Sequence, residues 1–350
     1  MRRTRLAAVL AVALAGAGCA AGSRQVAWAP DDLRRELSRR IPADEVVVPF
    51  ELSAEHARRA RLLVAYTPSA SEKVRILVDA LFSPHLFGLR YRVGVPGTAE
   101  DAFRNGGGDC LALASAFVGL ARAAGLDAGY MDASFHLQQT EYLNDQTTVK
   151  IGHITAFVRT IRDRFGLDFG GSGRIYWYQP IDDLEAVAHY YNNLGYLLLE
   201  GGGEGGDPAG WAAAAHQFDL ATRVQPGFAR AWNNLGVAEA RLGHREAAVA
   251  AYRRAMALDG TLASPRTNLG ALLLEAGELD AAGEELEEAA RLDPASPNVQ
   301  YELGLVRWKR GDRAGATRAL EKAISLRGEW PAARALLDQL AAEEPAAGGG

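Results

Sequence analysis

The chain has 350 residues, of which 48% are hydrophobic and 23% charged, and its formal net charge is −5. This length accommodates two domains of ordinary size. The acidic balance argues against a nucleic-acid partner, because nucleic-acid-binding proteins carry a basic stripe that is missing here beyond the extreme N-terminus. No apolar run reaches the roughly 20 residues that a membrane-spanning helix needs.

The N-terminus has the pattern of a processing signal. Basic residues in MRRTR precede the apolar stretch LAAVLAVALAGAG, which ends at Cys19. This pattern resembles a bacterial lipoprotein signal, which implies that residues 1–18 are removed and that Cys19 carries lipid. Ala20 after the cysteine favours the outer membrane, facing the periplasm, in a Gram-negative cell. The alternative is a plain secretory signal that is cut near Ala17 and Gly18.

Helices dominate the next part of the chain. Residues 31–88 are predicted to be helical, with Ser71 as the N-cap of SASEKVRILVDALF. LRYRVGV alternates like a short strand, and Thr98 is predicted to cap a helical turn. LALASAFVGLARAAGL is too long and apolar for a strand, so it predicts a buried helix that ends at Gly125. DAGYMDASFHL, IGHITAFVRTI and RFGLDFGG follow as predicted strands, which makes the segment an α+β domain.

The second half of the chain contains a repeat. The pairs Leu235-Gly236, Leu269-Gly270 and Leu303-Gly304 are 34 residues apart, with Ala and large apolar residues at matching offsets. This period and pattern are those of tetratricopeptide (TPR) helix pairs. An earlier pair, Leu194-Gly195, is offset by the glycine-rich loop GGGEGGDP, and WPAARALLDQLAAEEP predicts a capping helix. The sequence therefore predicts an all-α solenoid with about four repeats.

Cys110 lies at the start of the buried helix, behind three glycines. If Cys19 is lipidated, Cys110 is the only remaining thiol and cannot form an intramolecular disulfide. Asp109 is a favourable N-cap, and a helix N-terminus stabilises a thiolate and offers the Cys110 N–H to an oxyanion. We expect residues 106–108 to let a substrate chain approach closely. A buried cysteine with a packing role is the alternative.

A thiolate needs a base and a group that orients this base. His189, His216 and His244 fall in the repeats, where the expectation is an exposed side chain. His136 and His153 remain near the predicted strands. Asp168 follows His153 by 15 residues in the next predicted strand, which would make the two side chains cross-strand neighbours. Asp182 is the alternative orienting residue.

The run from Thr98 to Ala133, TAEDAFRNGGGDCLALASAFVGLARAAGLDAGYMDA, is similar to the catalytic-helix region of bacterial transglutaminase-like proteins. The resemblance implies a papain-like fold and a Cys-His-Asp triad, which maps onto Cys110, His153 and Asp168. The chain also resembles members of this group in which YYNNLG leads into TPR repeats. The expected fold is thus a papain/transglutaminase-like α+β domain followed by an all-α TPR solenoid.

The resemblance implies acyl-transfer chemistry, and we expect a cysteine peptidase or amidase that needs no metal and no other cofactor. A peptide or protein is the expected substrate, a second protein is expected on the concave face of the repeats, and the membrane is contacted through the lipid anchor only. An inert lipid-anchored scaffold and a transamidase or acyltransferase are the alternatives. The expected domains are a signal peptide (1–18), a tether (19–30), the transglutaminase-like domain (31–187), the TPR solenoid (188–343) and a disordered tail (344–350).

Overall fold

The computed structural model describes residues 27–133, 140–142, 148–150, 153–159, 164–169, 179–201 and 207–342, together with the two-residue strand Val12–Ala13. Cys19, His136 and the tail 344–350 lie outside the described residues. The described residues include no helix that is long and apolar enough to cross a membrane. The chain divides into two compact units: the first is 1–139, 151–197 and 220–226, and the second is 140–150, 198–219 and 227–350.

The first unit contains helices around an antiparallel sheet. Its helices are α1 Pro30–Leu37, α2 Ala54–Leu63, α3 Ala70–Phe82, α4 Ala99–Asn105, α5 Cys110–Ala123 and most of α6 Asp183–Gly201, with a 3₁₀ turn at Ala43–Glu45. Its strands are β1 Val12–Ala13, β2 Arg90–Tyr91, β3 Gly107–Gly108, β4 Asp127–Asp132, β7 Ile154–Arg159, β8 Arg164–Leu167 and β9 Gln179–Ile181. The α+β prediction for this unit is confirmed.

The sheet has the strand order β1-β8-β7-β4-β9, with every neighbour antiparallel. α5 packs against β7 and β4. From its first residue to Ala121, α5 is buried on all sides. This explains why its sequence is apolar throughout and shows no amphipathic period. The helix ends before Gly125, whose φ is +77°, as the sequence predicts.

The caps of the front helices agree with the sequence at one position and differ at another. Thr98 forms a capping box with Asp101 at the start of α4. The prediction of Ser71 as an N-cap is wrong, because α3 begins at Ala70 and the Ser69 hydroxyl accepts the N–H of Glu72. An N-cap residue directly precedes the helix, and its side chain accepts the N–H two or three residues later. Ser69 meets both conditions, whereas Ser71 already lies inside α3.

The second unit consists of helix pairs and the short strands β5 Thr140–Tyr142 and β6 Thr148–Lys150. Within each pair, the repeat glycine allows close helix contact: a Cβ added at Gly270 would lie 2.6 Å from the Leu286 side chain, and one added at Gly304 would lie 2.7 Å from that of Leu320. The helices are α7 Pro208–Val224, α8 Ala229–Arg241, α9 Arg245–Leu258, α10 Ala263–Glu275, α11 Leu279–Leu292, α12 Pro297–Lys309, α13 Arg313–Arg327 and the terminal α14 Pro331–Ala342; α7 divides between the two units.

Candidate active site

Cys110 is the first residue of α5, and its side chain is 7% exposed. The carboxylate of Asp109 caps the helix by accepting the Ala112 N–H at 2.8 Å. The described residues include no hydrogen-bond partner for the Cys110 N–H, which stands at the free N-terminal end of the helix. This N–H is therefore available to a negatively charged oxygen that forms next to the sulfur.

Two of the three glycines before Cys110 lie in close contact with other parts of the chain. The chain itself makes the close approach: Gly107 has φ +143°, and a Cβ there would lie 1.9 Å from the carbonyl oxygen of Arg90. Residues 107–108 pair in parallel with Arg90–Tyr91, and the Asp109 N–H donates to Val95 at 2.9 Å. β2 therefore lies against Gly107 and fixes the backbone before the cysteine. The approach of a substrate chain to residues 106–108 stays a prediction.

His153 and Asp168 are brought together at the ends of two paired strands. Nε2 of His153 lies 2.9 Å from Oδ1 of Asp168, and both side chains are less than a tenth exposed. His153 directly precedes β7, and Asp168 directly follows β8. Since Ala156 pairs with Leu167, Asp168 is in register with Thr155 and reaches His153 diagonally. The two side chains meet as the sequence anticipates, but at the strand ends rather than opposite each other.

The imidazole also lies near Cys110, whose side chain acts on its pKa. Burial alone would lower the pKa of His153, but the hydrogen bonds and charges of Asp168 and Cys110 outweigh it and raise this pKa to about 10. The ring is therefore cationic at neutral pH, which is the form that pairs with a thiolate and can donate a proton.

Other sequence candidates lie elsewhere. Asp182 accepts the Glu185 N–H at 2.7 Å before the first turn of α6, so it caps a helix and does not orient His153. His216 and His244 are exposed, as expected for the repeats. The expectation of an exposed His189 is wrong, because α6 buries this side chain completely.

Sequence reasoning missed two supports of the site. One is the segment that ends at Val95, which holds Asp109 through the backbone; its alternating pattern indicated a strand but not the partner of this strand. The other is Arg122 at the far end of α5, whose guanidinium donates to both carboxylate oxygens of Asp183 at 2.8 Å and whose Nε donates to Ala128. No pattern in the sequence joins residues so far apart.

Residues 58–165 match the family model of the transglutaminase-like superfamily. Residues 229–262 match the tetratricopeptide repeat and residues 272–311 a TPR repeat model. The chain therefore contains a transglutaminase-like domain followed by TPR repeats, as the sequence motifs indicate. Such repeats support a role in protein–protein interaction.

No curated protein matches this chain significantly. Among solved structures, MamA from Desulfovibrio magneticus RS-1 is 22% identical over 44% of this chain and 84% of its own, with a TM-score of 0.38. A structure described as a functional characterization of Pseudomonas aeruginosa pilF is 26% identical over 46% of this chain and 70% of its own, with a TM-score of 0.42. Scores this low carry no functional argument.

Proposed function

We propose that this chain is a cysteine hydrolase that cleaves a peptide or other amide bond through Cys110, His153 and Asp168. The observation that carries the proposal is the buried pair of Asp168 and Nε2 of His153, at 2.9 Å, with Cys110 near enough to the same ring to act on its pKa. A nucleophile, a base and an orienting carboxylate in this order form the arrangement that acyl-transfer enzymes use.

In the proposed reaction, Cys110 is the nucleophile and His153 transfers the protons. The thiolate of Cys110 attacks the amide carbonyl carbon, and the Cys110 N–H hydrogen-bonds the oxyanion. His153 then protonates the nitrogen, so that the C–N bond breaks, the amine leaves and a thioester remains. A water molecule loses a proton to His153 and attacks the thioester, which releases the carboxylic acid and restores the thiol. An amine in place of the water would give transamidation instead.

The proposal is tested by alkylating Cys110 of the full chain with iodoacetamide between pH 5 and 9. In the proposed site, the rate of alkylation at pH 6 should depend on His153, because a cationic imidazole stabilises a neighbouring thiolate. An ordinary thiol of pKa about 8.5 is less than about 1% ionised at pH 6, so His153→Ala should slow the reaction at that pH by about 100-fold.

His85→Ala is the matched control, because His85 is exposed in the same unit and should not affect the rate. A thiol that reacts only after unfolding, or at the same rate in His153→Ala, would exclude the enzyme. Trapping of an acyl group from p-nitrophenyl acetate on Cys110, followed by its release as a hydroxamate with hydroxylamine, tests the thioester directly. An inert scaffold would form no such adduct.

The proposal includes the cell envelope as the place of action, with Cys19 carrying lipid and the repeats binding a protein partner. The basic and apolar N-terminal sequence that ends at Cys19 supports this placement. Cys19→Ala should move the protein from the membrane fraction to the soluble fraction, and mass spectrometry of the N-terminal peptide should show the lipid. Membrane association that is unchanged in Cys19→Ala would refute the anchor.

A further inference from the structure

The first helices of successive repeats form one layer of the second unit. α8 contacts α10 and α10 contacts α12, whereas the second helices α9, α11 and α13 pack mainly on the first helices. Helices that lie closer together on one side of a stacked array form its inner side. Side chains that α8, α10 and α12 share at equivalent positions therefore lie in a row along this layer.

One such row is polar. Asn234, Asn268 and Glu302 each directly precede the Leu-Gly pair of their repeat, and they stand 34 residues apart. Their exposed fractions are 0%, 5% and 1%. A buried polar side chain is costly unless it forms hydrogen bonds. Between the first two repeats this need is met, since the Asn268 amide donates to Oδ1 of Asn233 at 3.0 Å. We call these three residues the polar row.

The same bond is missing at the next step of the polar row. The residue equivalent to Asn233 is Thr267, and its hydroxyl donates to the carbonyl of Ala263 at 2.9 Å within α10. Oε1 of Glu302 has no hydrogen-bond partner among the described residues. A carboxyl group thus stands where the repeat has an amide, and it is almost completely buried with no partner for Oε1 in the part of the chain that the structure describes.

The surroundings of Glu302 also disfavour a negative charge on its carboxyl group. Burial is the main cause that raises the pKa of Glu302, to about 8, and the negative charge of Glu275 at the end of α10 adds to it. Among the described residues, α12 packs mainly against α10, α11 and α13, and Glu275 of α10 is a charged group that acts on this carboxyl. Two carboxyl groups that act on each other favour binding of a positively charged group.

We propose that Glu302 is the recognition site for a cationic group, an ammonium or a guanidinium, of the polypeptide that the repeats bind. This inference rests on the partner-binding role of the repeats proposed above. The cation would supply the missing donor and pair with the carboxylate, as an amide or an apolar side chain cannot. Binding would ionise Glu302, and the proton would leave to the solvent.

Isothermal titration of the full chain with deca-lysine at pH 7 tests the proposal, in two buffers of different ionisation enthalpy. A group of pKa about 8 is about 90% protonated at pH 7, so each binding event at Glu302 should release close to one proton. Glu302→Gln should remove the proton release and weaken binding by at least about tenfold. Glu302→Asn restores the residue that the other repeats have at this position, so this variant is expected to fold. It should also lose the proton release and bind at least about tenfold more weakly.

Glu321→Gln is the matched control, because Glu321 is exposed on α13 and reports only general attraction to an acidic surface. It should keep the proton release, and deca-glutamate should not bind. Absence of binding, binding without proton release, or equal effects of Glu302→Gln and Glu321→Gln would overturn the proposal. Iodoacetamide labelling of Cys110 should be unchanged in Glu302→Gln, so failure here is distinguishable from failure of the hydrolase.

Discussion

Asp109, which directly precedes Cys110, has a carboxylate that caps α5 but is also buried. Its carboxylate caps α5 by accepting backbone N–H groups of the first turn. Burial is the main cause that raises its pKa to about 6, while the hydrogen bonds and the nearby His153 act in the opposite direction. The charged cap that positions Cys110 is therefore kept at a cost in stability above pH 6.

This cost predicts a pH dependence. An unfolded Asp has a pKa of about 3.9, so between about pH 4 and 6 the folded chain binds more protons at this site than the unfolded chain. Its free energy of unfolding should accordingly fall as the pH rises through that window. Asp109→Asn, which retains a capping oxygen, should weaken this pH dependence and raise the free energy of unfolding at pH 7.5, as measured by urea denaturation.

Asp109→Ala is the comparison variant, because it removes the cap together with the charge. Loss of an N-cap costs about 1 kcal/mol, so this variant should be less stable than Asp109→Asn at every pH. Equal stability of the two variants would show that the carboxylate does not cap the helix in solution.

The residues of the site differ in how far the sequence reveals them. Cys110 and its cap are recognisable because a helix start has a local signature. His153 and Asp168 are recognisable because they stand at two short predicted strands that follow each other in the chain. The use of Gly107 is not recognisable, since a glycine allows any close neighbour and only the fold shows that this neighbour is Arg90. The catalytic role of these residues stays a prediction until the labelling is done.

At the scale of elements, a buried ion pair ties α5 to the sheet and to α6. The Arg122 guanidinium forms a bidentate salt bridge with Asp183. Its Cζ atom lies 4.3 Å from the ring centroid of Phe50. Asp183 is 2% exposed and also accepts the N–H of Trp28 at 2.9 Å. The helix that carries Cys110 is thereby fixed at the end opposite to the cysteine.

Asp183→Ala would leave the guanidinium of Arg122 buried without its anion. Breaking a buried pair in this way costs roughly 3–5 kcal/mol, and we expect the thermal midpoint of the first unit to fall accordingly. Asp127→Ala is the control, because Asp127 and Arg159 form an ion pair at 3.6 Å with both side chains about half exposed. Such pairs contribute about 0–1 kcal/mol. Similar losses in both variants, measured by calorimetry, would contradict this interpretation.

At the scale of the whole molecule, the repeats end in a helix that covers an apolar surface. Trp330 stacks on Tyr301 at 4.8 Å between ring centroids, and Leu336 and Leu340 of α14 belong to the same buried cluster. Repeat arrays gain stability from each neighbour interface, and the last repeat needs a cap.

Removal of residues 329–350 should therefore lower the thermal midpoint of the repeats, followed by circular dichroism, by several degrees or more. Removal of residues 344–350 alone is the control and should have no effect. The labelling rate of Cys110 should remain that of the intact chain, because Cys110, His153 and Asp168 all belong to the first unit. A loss of labelling together with the repeats would show that this unit does not hold its site by itself.

Patterns in the amino-acid sequence are enough to predict the repeats, the α+β class of the first unit and the chain order of Cys110, His153 and Asp168. These features depend on local patterns: a 34-residue period, helix caps and short alternating strands. Only the folded structure shows that β2 lies against Gly107, that Arg122 meets Asp183, and that Oε1 of Glu302 is buried without a hydrogen-bond partner among the described residues. These contacts join residues far apart in the chain or depend on burial, and both arise only when the elements pack together.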